Sequence, residues 1–283
     1  MTTAPLMGVA ELAAVLPNGD VLVLDCRFDL ADAGKGRRDH RAAHIPGAIH
    51  ADLDNDLSDL SRQGLGRHPL PDDARLSAWL SRAGWRAGRR VVAYDDANGA
   101  LAAARAWWLL RLVGEMNVQV LDGGWATWRA AGLPVESGDV ATAHTDAGVH
   151  IDAAAVVGYD ELQQRLAAGT VLLVDARAAP RFRGEVEPID RIGGHVPGAV
   201  NRPFADNLAA DGRFKSAEAL RAEFSALLGA RAPGEVVHMC GSGVTACHNL
   251  LAMEHAGLHG SRVFAPSWSG WSSDPSRPVA KGA

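Results

Sequence analysis

Short runs of consecutive apolar, largely β-branched residues recur along the chain: VLVL at 21–24, VVAY at 91–94, VQVL at 118–121, VLLV at 171–174, VVHM at 236–239 and SRVF at 261–264. Longer amphipathic stretches lie between them, such as DDARLSAWLSRAG at 72–84 and SAEALRAEFSALLGA at 216–230. An unbroken apolar strand must be buried on both faces, and such strands alternating with helices give a parallel sheet covered on each side. The pattern predicts an α/β fold.

The same pattern occurs twice. VLVLDCR at 21–27 returns as VLLVDAR at 171–177, and HIPGA at 44–48 as HVPGA at 195–199. VVAYD at 91–95 returns as VVHMC at 236–240, and DGGWATW around Trp125 is echoed by APSWSGW around Trp268. Two copies in one order, with offsets drifting only slightly around 150 residues, describe a diverged tandem duplication. The polar stretch at 136–152 lacks a sustained apolar period and reads as the linker, which puts domains at 1–144 and 145–283. Duplication also sorts residues: features present in both halves serve the shared framework, and features present in one half are candidates for chemistry. By that criterion Asp25 and Arg27, mirrored by Asp175 and Arg177, and His44, mirrored by His195, are framework ion pairs and loop hydrogen bonds.

Composition narrows the class. At 283 residues the chain can bury two cores, and its 47% apolar and 22% charged content is that of a soluble globular protein. A net charge of −5 offers no global attraction to phosphate backbones or anionic lipid, so neither nucleic acid nor a membrane is expected as a partner. The first residues lack the basic start of a secretory signal and no apolar run approaches a membrane span; a cytoplasmic location is expected. Three cysteines, Cys26, Cys240 and Cys247, are too few for a disulfide framework or a four-cysteine zinc site, so a special cysteine points to catalysis.

The halves differ most where VVAY and VVHM end: one continues into Asp95, the other into Cys240. After Cys240 comes Gly241-Ser242-Gly243-Val244-Thr245-Ala246 and then an apolar helical stretch. A strand, a glycine-containing loop and a helix start set backbone N–H groups around the sulfur with the positive end of the helix behind it, an arrangement that favours an anion. The loop amides at Gly241, Gly243, Val244 and Thr245 could then hold a persulfide or an oxyanion. The plainer alternative is a cysteine packed at a strand end. Cys247, inside the following helix, and Cys26 read as packing residues, and the tryptophans, as in AWWLLRLV, as core.

The segment CGSGVTA at 240–246 resembles the active-site loop of the rhodanese superfamily, closest to its mercaptopyruvate sulfurtransferase branch. Two HxPGA segments, the DGGW and PSWxxW segments and RHPLP at 67–71 extend the likeness over nearly the whole chain. The resemblance implies two tandem rhodanese-like domains, the first inactive with Asp95 in the nucleophile's place, and Cys240 as the nucleophile. It implies a mercaptopyruvate donor rather than thiosulfate, because Gly241-Ser242 stand where thiosulfate enzymes carry two basic residues. Arg181 matches the arginine that holds the donor's carboxylate, and Arg191 is the nearest candidate for a second. Their counterparts in the first half are Ala31 and His40, neither a permanent cation. Ser242, His68 and Asp54 match a proton relay; the alternatives are a loop histidine for His68 and a turn or cap residue for Asp54. The implied partners are a small sulfur donor and an acceptor thiol, cyanide or thioredoxin, with no metal or organic cofactor. Three other readings remain open: thiosulfate as donor, a phosphatase, for which the loop lacks the closing arginine, and a non-enzymatic sulfur carrier.

Overall fold

A computed structural model describes residues 4–282. The first five strands are β1 (Leu6–Met7), β2 (Val21–Asp25), β3 (Ile49–His50), β4 (Arg90–Tyr94) and β5 (Val118–Leu121). The next five are β6 (Val156–Val157), β7 (Leu172–Asp175), β8 (Val200–Asn201), β9 (Val236–Met239) and β10 (Arg262–Phe264). They form two five-stranded sheets in the orders β1-β5-β4-β2-β3 and β6-β10-β9-β7-β8, and every pairing is parallel. The orders are identical after shifting each strand number by five, so the duplication read from the sequence is a duplication of topology. The α/β expectation holds for both halves.

The helices flanking the sheets start where the sequence provides caps. The Asp72 side chain accepts from the Arg75 amide at 2.8 Å ahead of Asp73–Arg82, and Ser216 accepts from the Ala219 amide at 3.2 Å ahead of Ala217–Leu228. Central strands β4 and β9 are buried on nearly every residue, as their unbroken apolar runs require. Each half has its own core. Val23, Val92, Tyr94, Leu121 and Trp128 cluster in the first, and Leu173, Val237, Met239, Phe264, Trp268 and Trp271 in the second. Trp107, Trp128, Trp268 and Trp271 are among the largest fully enclosed side chains, and truncating one of them would cost about 3–5 kcal/mol. The tryptophans are core, as expected.

The division into units departs from the linker reading. One compact unit comprises Met1–Asp59, Leu70–Asp152 and Asp211–Arg213; the other comprises Leu60–Pro69, Ala153–Ala210 and Phe214–Ala283. The stretch expected to be a free linker is pinned to the helix Asp73–Arg82. The Thr145 amide donates to the Ser81 carbonyl (3.1 Å), Ala147 to Ser81 Oγ (3.0 Å), Val149 to Ser77 Oγ (3.1 Å) and Ile151 to Asp73 Oδ1 (2.9 Å). The compact units divide at 152/153, eight residues beyond the expected boundary. The second departure is the segment Leu60–Pro69, encoded in the first half but belonging to the second unit. It is held there by Tyr159 Oη donating to the Gly64 carbonyl at 2.8 Å and by the Arg67 amide donating to Ser269 Oγ at 2.9 Å. Gly66 (φ +88°) approaches so closely that a Cβ would lie 2.4 Å from the Pro266 carbonyl oxygen.

Candidate active site

Cys240 is the first residue after β9, which lies between β10 and β7, so its sulfur sits at the carboxyl end of a central parallel strand, where open α/β sheets bind ligands. The backbone there is fixed from the next crossover. The Cys240 amide donates to Ser267 Oγ at 3.1 Å, the Cys240 carbonyl accepts from the Trp268 amide at 2.9 Å, and the Gly241 carbonyl accepts from Ser269 at 2.8 Å. Gly243 is the turning point. At φ +78° it occupies the left-handed region, and a Cβ would meet the Ala265 carbonyl oxygen at 2.4 Å. Among the described residues, the amides of Gly241, Ser242, Val244 and Thr245 find no backbone acceptor. These uncommitted donors lie just ahead of the helix Ala246–His255, whose N-terminal dipole also favours negative charge. The Cys240 side chain is nearly enclosed, with the residue 2% exposed.

The other two cysteines have different surroundings. Cys247 Sγ donates to the Gly243 carbonyl at 3.3 Å within the helix start, and Cys26 is fully enclosed. Burial, reinforced by the charges of Asp95, Asp25 and Asp56, pushes the Cys26 thiol well above its usual range. Neither is placed as a nucleophile.

Several predicted residues converge on the Cys240 loop within the second unit. Ser242 Oγ and His68 Nδ1 lie 2.8 Å apart, and His68 is only 3% exposed. The Arg181 guanidinium faces the loop, its Nη1 and Nη2 each 3.7 Å from where a Cβ on Gly241 would stand. Arg191 is exposed and forms no ion pair among the described residues. Asp54 belongs to the first unit, where its amide donates to Asp52 Oδ1 at 3.0 Å; it is not among the residues gathered in the second.

The sequence reading missed the carboxylates that hold Arg181. Its Nη2 lies 2.7 Å from Glu187 Oε1 and 3.2 Å from Asp190 Oδ2, and Asp190 Oδ1 accepts from Arg67 Nη2 at 2.8 Å. Burial raises the Glu187 carboxyl, but the Arg181 hydrogen bond and the amides of Asp190 and Ile189 outweigh it and leave the group below its ordinary range. At Asp190 burial wins, and the carboxyl lies above the ordinary range despite Arg67. Glu187 and Asp190 stand six and nine residues after Arg181, a spacing that could have marked them as its anchors. Arg67 carried no such signal, because a lone arginine in a loop usually reads as solvated charge.

The mirrored residues behave as framework. Arg27 clamps Asp25 (2.5 Å) and its Nη2 donates to the Ala43 carbonyl; Arg177 clamps Asp175 (2.6 Å) and donates to the Gly194 carbonyl, each at 2.7 Å. The guanidiniums stack on Trp125 and Trp268 at 4.5 and 4.6 Å. His44 and His195 each bind a backbone carbonyl oxygen, that of His40 and of Phe182. Asp95 occupies the place of Cys240, down to the Trp125 amide donating to its carbonyl at 2.9 Å. Its carboxylate accepts from five amides, those of Ala97, Gly99, Leu101, Ala102 and Ala103, at 2.8–3.1 Å. Among the described residues, no group of three or more His, Cys, Asp or Glu side chains could hold a metal ion, and no helix is long and apolar enough to cross a membrane.

Comparison with known proteins places the chain in a family. The model of the rhodanese-like domain matches residues 8–131 and again 159–274. A Pseudomonas aeruginosa protein provisionally named 3-mercaptopyruvate sulfurtransferase is 51% identical over 284 residues, covering 100% of both chains. A Mycobacterium tuberculosis protein provisionally named a thiosulfate sulfurtransferase is 44% identical over 279 residues, covering 98% of this chain and 97% of its own. The solved structure of 3-mercaptopyruvate sulfurtransferase from Leishmania major superposes with a TM-score of 0.84 at 32% identity, over 95% of this chain and 74% of that one.

Proposed function

The chain belongs to the rhodanese family of sulfurtransferases, and from that premise we propose that it draws sulfur from 3-mercaptopyruvate and passes it, through a persulfide on Cys240, to a thiol, cyanide or thioredoxin. The observation that carries the reading is the 2.8 Å contact between Ser242 and His68, two residues from Cys240 in an otherwise amide-lined loop. A cysteine that only stored sulfur would need the amides; a proton-transfer pair beside it suits a donor whose departing carbon must be protonated.

The steps balance. The Cys240 thiolate attacks the donor sulfur, forming an S–S bond as the carbon–sulfur bond breaks. The electron pair passes to carbon and is delocalised into the adjacent carbonyl as the enolate of pyruvate. Ser242, backed by His68, delivers the proton that completes pyruvate, and Arg181 holds the donor's carboxylate with Arg191 as the second cation. Asp54 is the remaining member of the relay. The persulfide is held by the loop amides until an acceptor thiolate or cyanide attacks its outer sulfur and releases the Cys240 thiolate. Kinetics are ping-pong. The first repeat, expected at 1–144, is the inactive one and the second, expected at 145–283, the catalytic one, each folding within the unit bounds given above.

Mass spectrometry of the protein after treatment with 3-mercaptopyruvate should show one added sulfur on Cys240, with pyruvate released in equal amount. A Cys240→Ser variant that still releases pyruvate at the wild-type rate would remove the basis for this assignment. The name of the Mycobacterium tuberculosis relative favours a second reading, thiosulfate as donor, with the same nucleophile. Comparing kcat/KM for the two donors with one acceptor decides between them.

A further inference from the structure

We propose that Asp190 is a charge-setting positioning residue that tunes the site toward donors carrying a single negative charge, by bridging two arginines and supplying the negative charge without which their cluster would carry one uncompensated positive charge. The inference rests on the sulfurtransferase reading above.

Three guanidiniums and three carboxylates form one chain of contacts. Asp175 binds Arg177 (2.6 Å), whose Nη1 reaches Glu187 at 3.5 Å; Glu187 binds Arg181 (2.7 Å); Arg181 reaches Asp190 (3.2 Å); and Asp190 binds Arg67 (2.8 Å). Formally the chain is neutral. The link Asp190 supplies differs from the others. Asp175–Arg177 recurs as Asp25–Arg27 in the first unit and belongs to the framework, whereas Asp190 joins Arg181, which faces the Cys240 loop, to Arg67, the neighbour of His68. Its side chain is 8% exposed, so these contacts are weakly screened by water. Arg191, next along the chain, is left as an unpaired cation among the described residues.

A monoanionic α-keto acid needs one cation at its carboxylate, which the Nη1 face of Arg181 or Arg191 supplies. Thiosulfate carries two charges and gains more from every uncompensated cation nearby. With Asp190 ionised, Arg67 and Arg181 are both compensated, and that extra gain is withheld.

The test uses the full-length protein with cyanide as the common acceptor and measures kcat/KM for 3-mercaptopyruvate and thiosulfate. Asp190→Asn keeps shape and removes one negative charge. It should raise the thiosulfate-to-mercaptopyruvate ratio by about tenfold, the size expected for one charge at partly screened contact distance. The change should fall mainly on KM for thiosulfate and shrink as salt is added. Asp190→Glu should bring the ratio back. Arg67→Gln, which removes a cation from the same chain, should move the ratio the opposite way. An unchanged ratio in both neutralising variants, or a shift of the same sign in both, overturns the proposal. Should Asp190→Asn not fold, the direction of the Arg67→Gln shift decides alone. If the unaltered protein loads no sulfur from either donor, the sulfurtransferase reading fails and this inference falls with it; normal loading with an insensitive ratio sinks the inference alone.

Discussion

The two loops that follow β4 and β9 are built alike and occupied differently. Each leaves a central strand, is tied to the start of a later helix by a tryptophan amide at 2.9 Å, and presents a row of backbone N–H groups. In the first unit that row closes on the carboxylate of Asp95, which five amides hold at 2.8–3.1 Å. In the second, a cysteine side chain stands where the carboxylate is, and four loop amides have no backbone acceptor among the described residues. The difference teaches that one turn can be either a structural knot or a reactive site, according to whether the chain supplies its own anion. Burial holds the Asp95 carboxyl above its ordinary range, against the opposing pull of the surrounding amides.

Three substitutions break or sharpen this contrast. The largest effect is expected from Gly243→Ala. The added methyl at φ +78° would press on the Ala265 carbonyl oxygen at 2.4 Å, so the loop must move. Sulfur loading of Cys240 should fall by at least about a hundredfold, with a stability loss of about 3 kcal/mol or more, read by mass spectrometry and urea unfolding. Loading at the unaltered rate would mean that the turn is not required for the site. Next is Asp95→Asn, which sets an amide NH₂ against donors that need an acceptor. The expected cost is about 2–3 kcal/mol of stability, seen as an earlier denaturant midpoint at constant slope. A midpoint within error of the parent would show that the carboxylate is not what closes that loop. The smallest is Ser242→Ala. With water able to bridge to His68, kcat for 3-mercaptopyruvate should drop about tenfold at unchanged KM. Transfer from thiosulfate should be spared, since sulfite leaves as a stable anion without a proton; equal losses with both donors would assign the serine a role in holding sulfur instead.

Much of the frame was readable in the sequence because it depends on local pattern. The long central strands were unbroken apolar runs, and the duplication exposed framework ion pairs such as Asp25–Arg27. Edge strands β1, β3, β6 and β8 are two residues each, too short for any period to register. Cys240, Ser242, His68 and Arg181, which the structure gathers around one loop, stood in recognisable motifs. The pairing of Asp190 with Arg67 was not legible, since the two are separated by 123 residues and nothing in their local sequence predicts the meeting. The attachment of the linker was hidden for a related reason: its residues make side-chain and backbone hydrogen bonds to the helix Asp73–Arg82, and such bonds leave no hydrophobic signature.

The segment Leu60–Pro69 bears on how the molecule comes into being. During synthesis it emerges well before the strands it joins, and its histidine meets Ser242 only after another 174 residues have been made. The second unit consequently cannot assemble from its own repeat alone; it closes on a ribbon already made with the first. A cut at the sequence repeat would produce a fragment holding Cys240 and Ser242 but deprived of His68. The duplicated repeats therefore no longer coincide with the folded units.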